Sequence, residues 1–135
     1  MQVIKTETFE LQNESDIVYV RQLVRKLSQE IGLGLVDQTR VITAASELAR
    51  NVIKYAGHGR LRWEILSQET KTGLRLVFED EGPGIADIQS AMTDGWTSGG
   101  GLGLGLPGSK RLVNDFEIES IVGKGTRVAI TRWKL

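Results

Sequence analysis

No cysteine occurs in the 135 residues. Disulfide frameworks, thiol catalysis and cysteine-ligated zinc are therefore excluded. A single histidine, His58, excludes a histidine-rich metal site on the same ground. Charge of one sign is missing too, with Lys and Arg numbering 17 against 17 for Asp and Glu. That balance removes the broad positive field of a general nucleic-acid binder. No apolar run approaches the ~18 residues of a membrane span. The opening MQVIKTETFE is too polar for a secretion signal. The expectation is one soluble, cytoplasmic domain over residues 1–135, with no nucleic-acid or membrane partner.

Glycine is what the chain has in excess, 16 in all. The glycines concentrate between Gly95 and Gly108 and recur at Gly82/Gly84 and Gly123/Gly125. The rest of the chain reads as regular structure. Residues 3–11 alternate as a strand, and Asn13-Glu14-Ser15 offers caps to a helix. Ile17, Val20, Val24, Leu27 and Ile31 form one face of that helix, and Gly32 and Gly34 stop it. Asp37 can cap a second helix from about 38 to 56, with Val41, Ala45, Leu48 and Val52 as its buried stripe. Two alternating runs, Leu61/Trp63/Ile65 and Leu74/Leu76/Phe78, give strands joined by a polar turn near 68–73. A short helix around 86–92, the glycine stretch 95–105 and a helix from about 104 to 114 come next. Phe116–Val122 and Thr126–Trp133 close the chain as strands around Gly123-Lys124-Gly125. Strands in adjacent pairs imply a mixed, mostly antiparallel sheet with helices on one face, an α+β two-layer sandwich.

Three segments could carry chemistry. On the second helix Glu47 and Asn51 are four apart, and Lys54 and Tyr55 continue along that side. Alone, this is an ordinary solvated helix face. As a site, Asn51 supplies a neutral oxygen for a hard cation that already carries phosphate. Glu47 could orient or deprotonate a hydroxyl, and Lys54 could neutralise phosphate charge. The second segment, FEDEGPGI at 78–85, is on its face a turn. A carboxylate at a strand end can also accept from an exocyclic amine, so Asp80 could read adenine, with Gly82 and Gly84 admitting a flat base. The third, GWTSGGGLGLGLPGSKRLV at 95–113, places Leu102, Leu104 and Leu106 at every second position, unlike a linker. Glycines leading into a helix present free N–H groups and the positive end of its dipole to phosphate. By letters Gly103 to Gly108 matches GxGxxG, but no βαβ unit surrounds it, and no GK[ST] of a Walker loop occurs.

Order and spacing say more than any one segment. Glu-x-x-x-Asn, then Asp-x-Gly-x-Gly, then Gly-x-Gly-Leu-Gly, then Gly-Lys-Gly-Thr resembles the ATP-binding fold of sensor histidine kinases, type II topoisomerases and mismatch-repair ATPases. The likeness to this GHKL superfamily runs from about residue 40 to 133. It implies a Bergerat-type sandwich holding ATP and Mg²⁺ under a mobile glycine lid. A histidine kinase carries its phosphoacceptor on an upstream helix, whereas His58 falls in a loop just after the Asn51 helix. Topoisomerase-like and repair ATPases need large transducer domains. What remains is the small serine kinases. VDQTRVITAASELARNVIKYAGHG, EDEGPGIADI and GGGLGLGLPGSKRLVNDFEI resemble the RsbT-type switch kinases of the bacterial stressosome. Thr97-Ser98-Gly99 departs from relatives that carry more hydroxyls there.

By that resemblance Glu47 is the base or orienting group, Asn51 ligates Mg²⁺ and Asp80 holds adenine. Gly82 and Gly84 line the base, and Gly101, Gly103 and Gly105 wrap the phosphates. Lys54 and Tyr55 lie near phosphate or sugar, and Thr126 lies behind Asp80. The implied activity is ATP-dependent serine/threonine-protein phosphorylation of a STAS-domain partner of the RsbS or RsbR type. Release would then activate a regulator such as an RsbU-like phosphatase. Two alternatives stay open: an anti-sigma factor kinase of the same fold, and a nucleotide-gated binding module without transferase activity.

Overall fold

The structure, a computed structural model, describes residues 1–92 and 105–135. Its elements are β1 (Gln2–Leu11), α1 (Glu14–Glu30), α2 (Leu35–Asn51), a π-helical turn (Val52–Ala56), β2 (Gly59–Gln68) and β3 (Lys71–Asp80). After these come α3 (Ile88–Ala91), α4 (Gly105–Arg111), β4 (Asp115–Ile121) and β5 (Gly125–Lys134). The strands form one sheet in the order β1-β2-β3-β5-β4, and each described pairing is antiparallel.

Alternation decides which face is covered. Leu61, Trp63 and Ile65 of β2, Leu74, Leu76 and Phe78 of β3, and Val128 and Ile130 of β5 point to the same side. There they meet Ile17, Val20, Val24 and Leu27 of α1, Val41, Ala45 and Leu48 of α2, and Leu106 of α4 in one core. The result is the two-layer sandwich, helices on one face. The opposite face carries charge: the nearly buried Glu64 takes Arg75 at 2.6 Å and Arg62 at 3.8 Å. No helix among the described residues is long and apolar enough to cross a membrane.

The first helix begins as expected. Asn13 accepts from the Ser15 N–H at 3.0 Å, and Asp16 reaches back to the Asn13 N–H at 3.1 Å, a complete capping box. The second does not. Asp37 is no cap: α2 starts at Leu35 behind Gly34, and Asp37 lies inside the first turn. Its carboxylate is taken instead by Arg132 of β5 at 2.7 Å and Arg40 at 3.2 Å, so a tertiary ion pair outcompetes the local cap. The polar turn near 68–73 is also tighter than expected. Gln68 and Lys71 still pair across the ladder, leaving Glu69 (φ 57) and Thr70 as the connection. Finally, α4 ends at Arg111 rather than 114. Asn114 leaves the helix to accept the Trp133 N–H at 2.7 Å and donate its own N–H to the Thr131 carbonyl at 2.9 Å.

Candidate active site

The C-terminal end of α2 and the end of β3 meet at one edge of the sandwich. Glu47 and Asn51 lie one helical turn apart near the end of α2, both half-buried. Glu47 Oε1 accepts from Arg50 at 2.8 Å, which holds the carboxylate against its own helix. Asn51 makes no side-chain hydrogen bond among the described residues, so its amide oxygen is available to a ligand. Beyond Asn51 the chain changes to π-helical geometry, closed by Gly57 at φ 84. Such π-turns recur at functional sites, and Lys54 and Tyr55 lie within this one. Both are exposed, with Lys54 Nζ 5.2 Å from the centre of the Tyr55 ring. His58 is exposed in the loop beyond.

At the end of β3, Asp80 Oδ1 accepts the Gly82 N–H at 2.9 Å and turns the chain. Burial pushes the Asp80 carboxyl above its usual range, and hydrogen bonds from the Gly82 and Thr126 N–H groups pull it back. An acceptor kept half-buried by backbone donors suits a hydrogen-bond donor on a flat ligand. Gly82 permits this turn by close approach, since a Cβ there would lie 2.6 Å from the Ala56 methyl. Gly84 permits it by conformation, at φ +77, beside the Ile121 carbonyl. The neighbouring Glu81 is held below the usual carboxylate value by Arg60, which fixes the start of the loop on β2.

Thr126 pairs with Asp80 across β3–β5, as expected of a residue behind it. Thr126 also pairs with Ser120 of β4, which sequence reasoning missed. The signal was present: Phe116, Ile118 and Ser120 alternate toward the same face as Thr126. Arg50, three residues from Glu47, was overlooked in the same way. Gly105 opens α4. Gly101 and Gly103, with the rest of the glycine stretch up to residue 104, lie outside the described residues. No group of three or more His, Asp or Glu side chains suited to a metal ion occurs among the described residues.

Glu47 and Asn51 near the end of α2 and Asp80 at the end of β3 are thus carried on one antiparallel α+β sandwich. The chain belongs to the histidine kinase-, DNA gyrase B- and HSP90-like ATPase family, whose pattern it matches over residues 36–135. Among curated relatives it is 48% identical over 123 residues to the serine/threonine-protein kinase RsbT of Bacillus subtilis (strain 168). That match covers 91% of this chain and 92% of the relative. It is 28% identical to the anti-sigma F factor of Clostridium novyi (strain NT), covering 90% of this chain and 86% of that protein. Two solved structures share the fold. One is the mycobacterial sensor histidine kinase MprB, with TM-score 0.58 and 18% identity over 95% of this chain and 97% of that one. The other contains the RsbU and RsbW domains of Rv1364c from Mycobacterium tuberculosis, with TM-score 0.59 and 16% identity over 93% of this chain and 32% of that one.

Proposed function

We propose that residues 1–135 act as one ATP-dependent serine/threonine-protein kinase whose substrate is a STAS-domain regulator of the RsbS or RsbR type. The 48% identity to RsbT over nine-tenths of both chains carries this reading. The more distant anti-sigma F factors, at 28%, make sequestration of a sigma factor the second reading.

Bound Mg·ATP supplies the transferable phosphoryl group and the charge neutralisation that its transfer needs. The chain's own residues do the rest. Asp80 accepts the adenine amine, a donor that guanine lacks at the corresponding ring position. Thr126 stands beside Asp80, and Gly82 and Gly84 let the backbone reach the base plane. The amide oxygen of Asn51 would hold Mg²⁺, a neutral donor suited to a hard cation that arrives already bound to phosphate. Glu47, held by Arg50 through one oxygen, has the other to orient the partner's hydroxyl and take its proton. Lys54 and Tyr55 stand outside, near the sugar and phosphates, and Gly105 opens α4 toward the phosphates. Released from its STAS partner, the kinase engages an RsbU-like phosphatase.

The test is transfer of γ-labelled phosphate from ATP to a purified RsbS-like protein, with a pull-down against STAS protein and sigma factor in parallel. Label on the STAS protein and its capture support the proposal. Capture of sigma factor with no label transfer to the STAS protein would replace it with the anti-sigma reading.

A further inference from the structure

Asp80, Thr126 and Ser120 form one row across three strands, set by the registers Asp80↔Thr126 and Ser120↔Thr126. All three share the helix-covered face, because Phe78, Val128 and Ile118, two residues along each strand, point into the core. Ser120 sits at the outer end of this row on the edge strand β4. Its hydroxyl makes three contacts: the Ile85 N–H donates to Oγ at 2.7 Å, Thr126 Oγ1 lies at 2.8 Å, and the Gly125 carbonyl lies at 3.1 Å.

A serine hydroxyl has one proton and two lone pairs. One lone pair is filled by Ile85. The Gly125 carbonyl can only accept, so the arrangement that uses every group sends the Ser120 proton there. Thr126 must then donate its own proton to the remaining Ser120 lone pair. The consequence is directional: with its proton committed, the Thr126 hydroxyl offers only acceptor lone pairs. Beside it stands Asp80, an acceptor as well. The Ile85 bond meanwhile closes the far end of the Asp80–Ile85 loop, whose near end is closed by Asp80 and Gly82.

We propose that Ser120 is a positioning and specificity residue for the base pocket. It locks the Thr126 hydroxyl as an acceptor and ties down the loop that ends at Ile85, so that the pocket favours a base edge bearing an amine donor. This deepens the nucleotide-site reading and rests on it. With Ser120 removed, Thr126 regains a free proton, can donate to a carbonyl, and discriminates less between adenine and guanine.

The experiment measures Mg·ATP and Mg·GTP affinity by calorimetry for the wild type, Ser120→Ala and Ser120→Thr, each with its Tm. In Ser120→Ala, ATP affinity falls by ~3–10-fold, about the worth of one neutral hydrogen bond at the base edge, and the ATP-over-GTP ratio shrinks. Ser120→Thr keeps the hydroxyl on a strand position and restores both. Thr126→Val serves as a second route, and combining it with Ser120→Ala adds no further loss of discrimination. A Ser120→Ala protein with lower Tm but the wild-type ATP-over-GTP ratio overturns the proposal, leaving Ser120 a structural staple. Wild-type protein that binds neither nucleotide overturns the underlying site reading as well.

Discussion

Gly82 and Ala56 touch: a Cβ built on Gly82 would lie 2.6 Å from the Ala56 Cβ and 3.0 Å from its Cα. The contact joins the loop after β3 to the π-turn beyond Asn51. The two segments that carry the proposed nucleotide site are thus in van der Waals register, with no room for a methyl group on Gly82. Gly82→Ala should therefore act on both. Overpacking of this kind costs ~1–3 kcal/mol, and the displaced loop takes Asp80 with it. Urea unfolding should show the loss of stability, and ATP titration should show weakened binding in the same protein. Full ATP affinity in a destabilised variant would mean that the loop adjusts without moving Asp80.

Much of this arrangement was legible in the sequence. The helix stripe Ile17, Val20, Val24, Leu27 and Ile31 is buried throughout, at 0–9% exposure, because apolar periodicity reports directly on which side faces the core. The Asp80 turn was legible because Asp ahead of Gly-Pro-Gly leaves the backbone few alternatives. What was hidden depends on partners distant in sequence. Asp37 looked like a cap until Arg132, 95 residues away, claimed its carboxylate. The π-turn after Asn51 has no sequence signal of its own, since the one extra residue is absorbed by packing of Val52 and Ala56 on Gly59 and Gly82. For Ser120 the alternation of β4 gave its face, but only the register places it beside Thr126.

Asp80 should make the free protein less stable while serving its ligand. Burial raises its folded-state pKa above the ordinary 3.8, the backbone donors offsetting only part. The folded state therefore holds the proton more tightly than the unfolded state. The associated stability is full below the unfolded value and is lost as pH rises through the raised folded value. At neutral pH the ionised carboxylate is a net cost. Asp80→Asn should then melt at a higher temperature than wild type at pH 7, with the gap closing as pH falls through the raised folded value and absent below about 3.8. ATP affinity moves the other way, since loss of a charge-assisted hydrogen bond costs ~1.5–3 kcal/mol, about tenfold or more. Thermal melts across pH, with ATP titration at pH 7, check both signs. A variant less stable than wild type at every pH would show that the backbone donors, not burial, dominate at Asp80.

The cap at Asn13 offers a change that should alter stability alone. Its side chain accepts from Ser15, and the box is completed by Asp16 at the start of α1, with no hydrogen bond from either to a candidate site residue. Asn13→Ala should cost ~1 kcal/mol. Urea denaturation should register it, and nucleotide affinity at a temperature well below the melt should stay at the wild-type value.

The roles proposed for Glu47 and Asn51 separate chemistry from binding on one helix. The two residues lie a single turn apart, yet their surroundings differ: Arg50 occupies one Glu47 oxygen at 2.8 Å, while Asn51 has no side-chain partner among the described residues. If Asn51 ligates Mg²⁺ as proposed, Mg²⁺-dependent ATP affinity and phosphoryl transfer should fall together in Asn51→Ala. Glu47→Ala should leave ATP affinity nearly intact, because a carboxylate near a triphosphate adds little to ground-state binding. Transfer to the STAS partner should nonetheless slow by ~10²–10⁴-fold if the carboxylate takes the hydroxyl proton. Glu47→Gln sharpens the test, since its amide can still accept from Arg50 and orient a hydroxyl but no longer takes up a proton. If Glu47→Gln is as slow as Glu47→Ala, the group acts as a base. Should Glu47→Gln transfer phosphate near the wild-type rate while Glu47→Ala does not, its part is to orient. Near wild-type transfer by both variants would leave Glu47 as one more charge on a solvated helix face, paired with Arg50 and outside the chemistry.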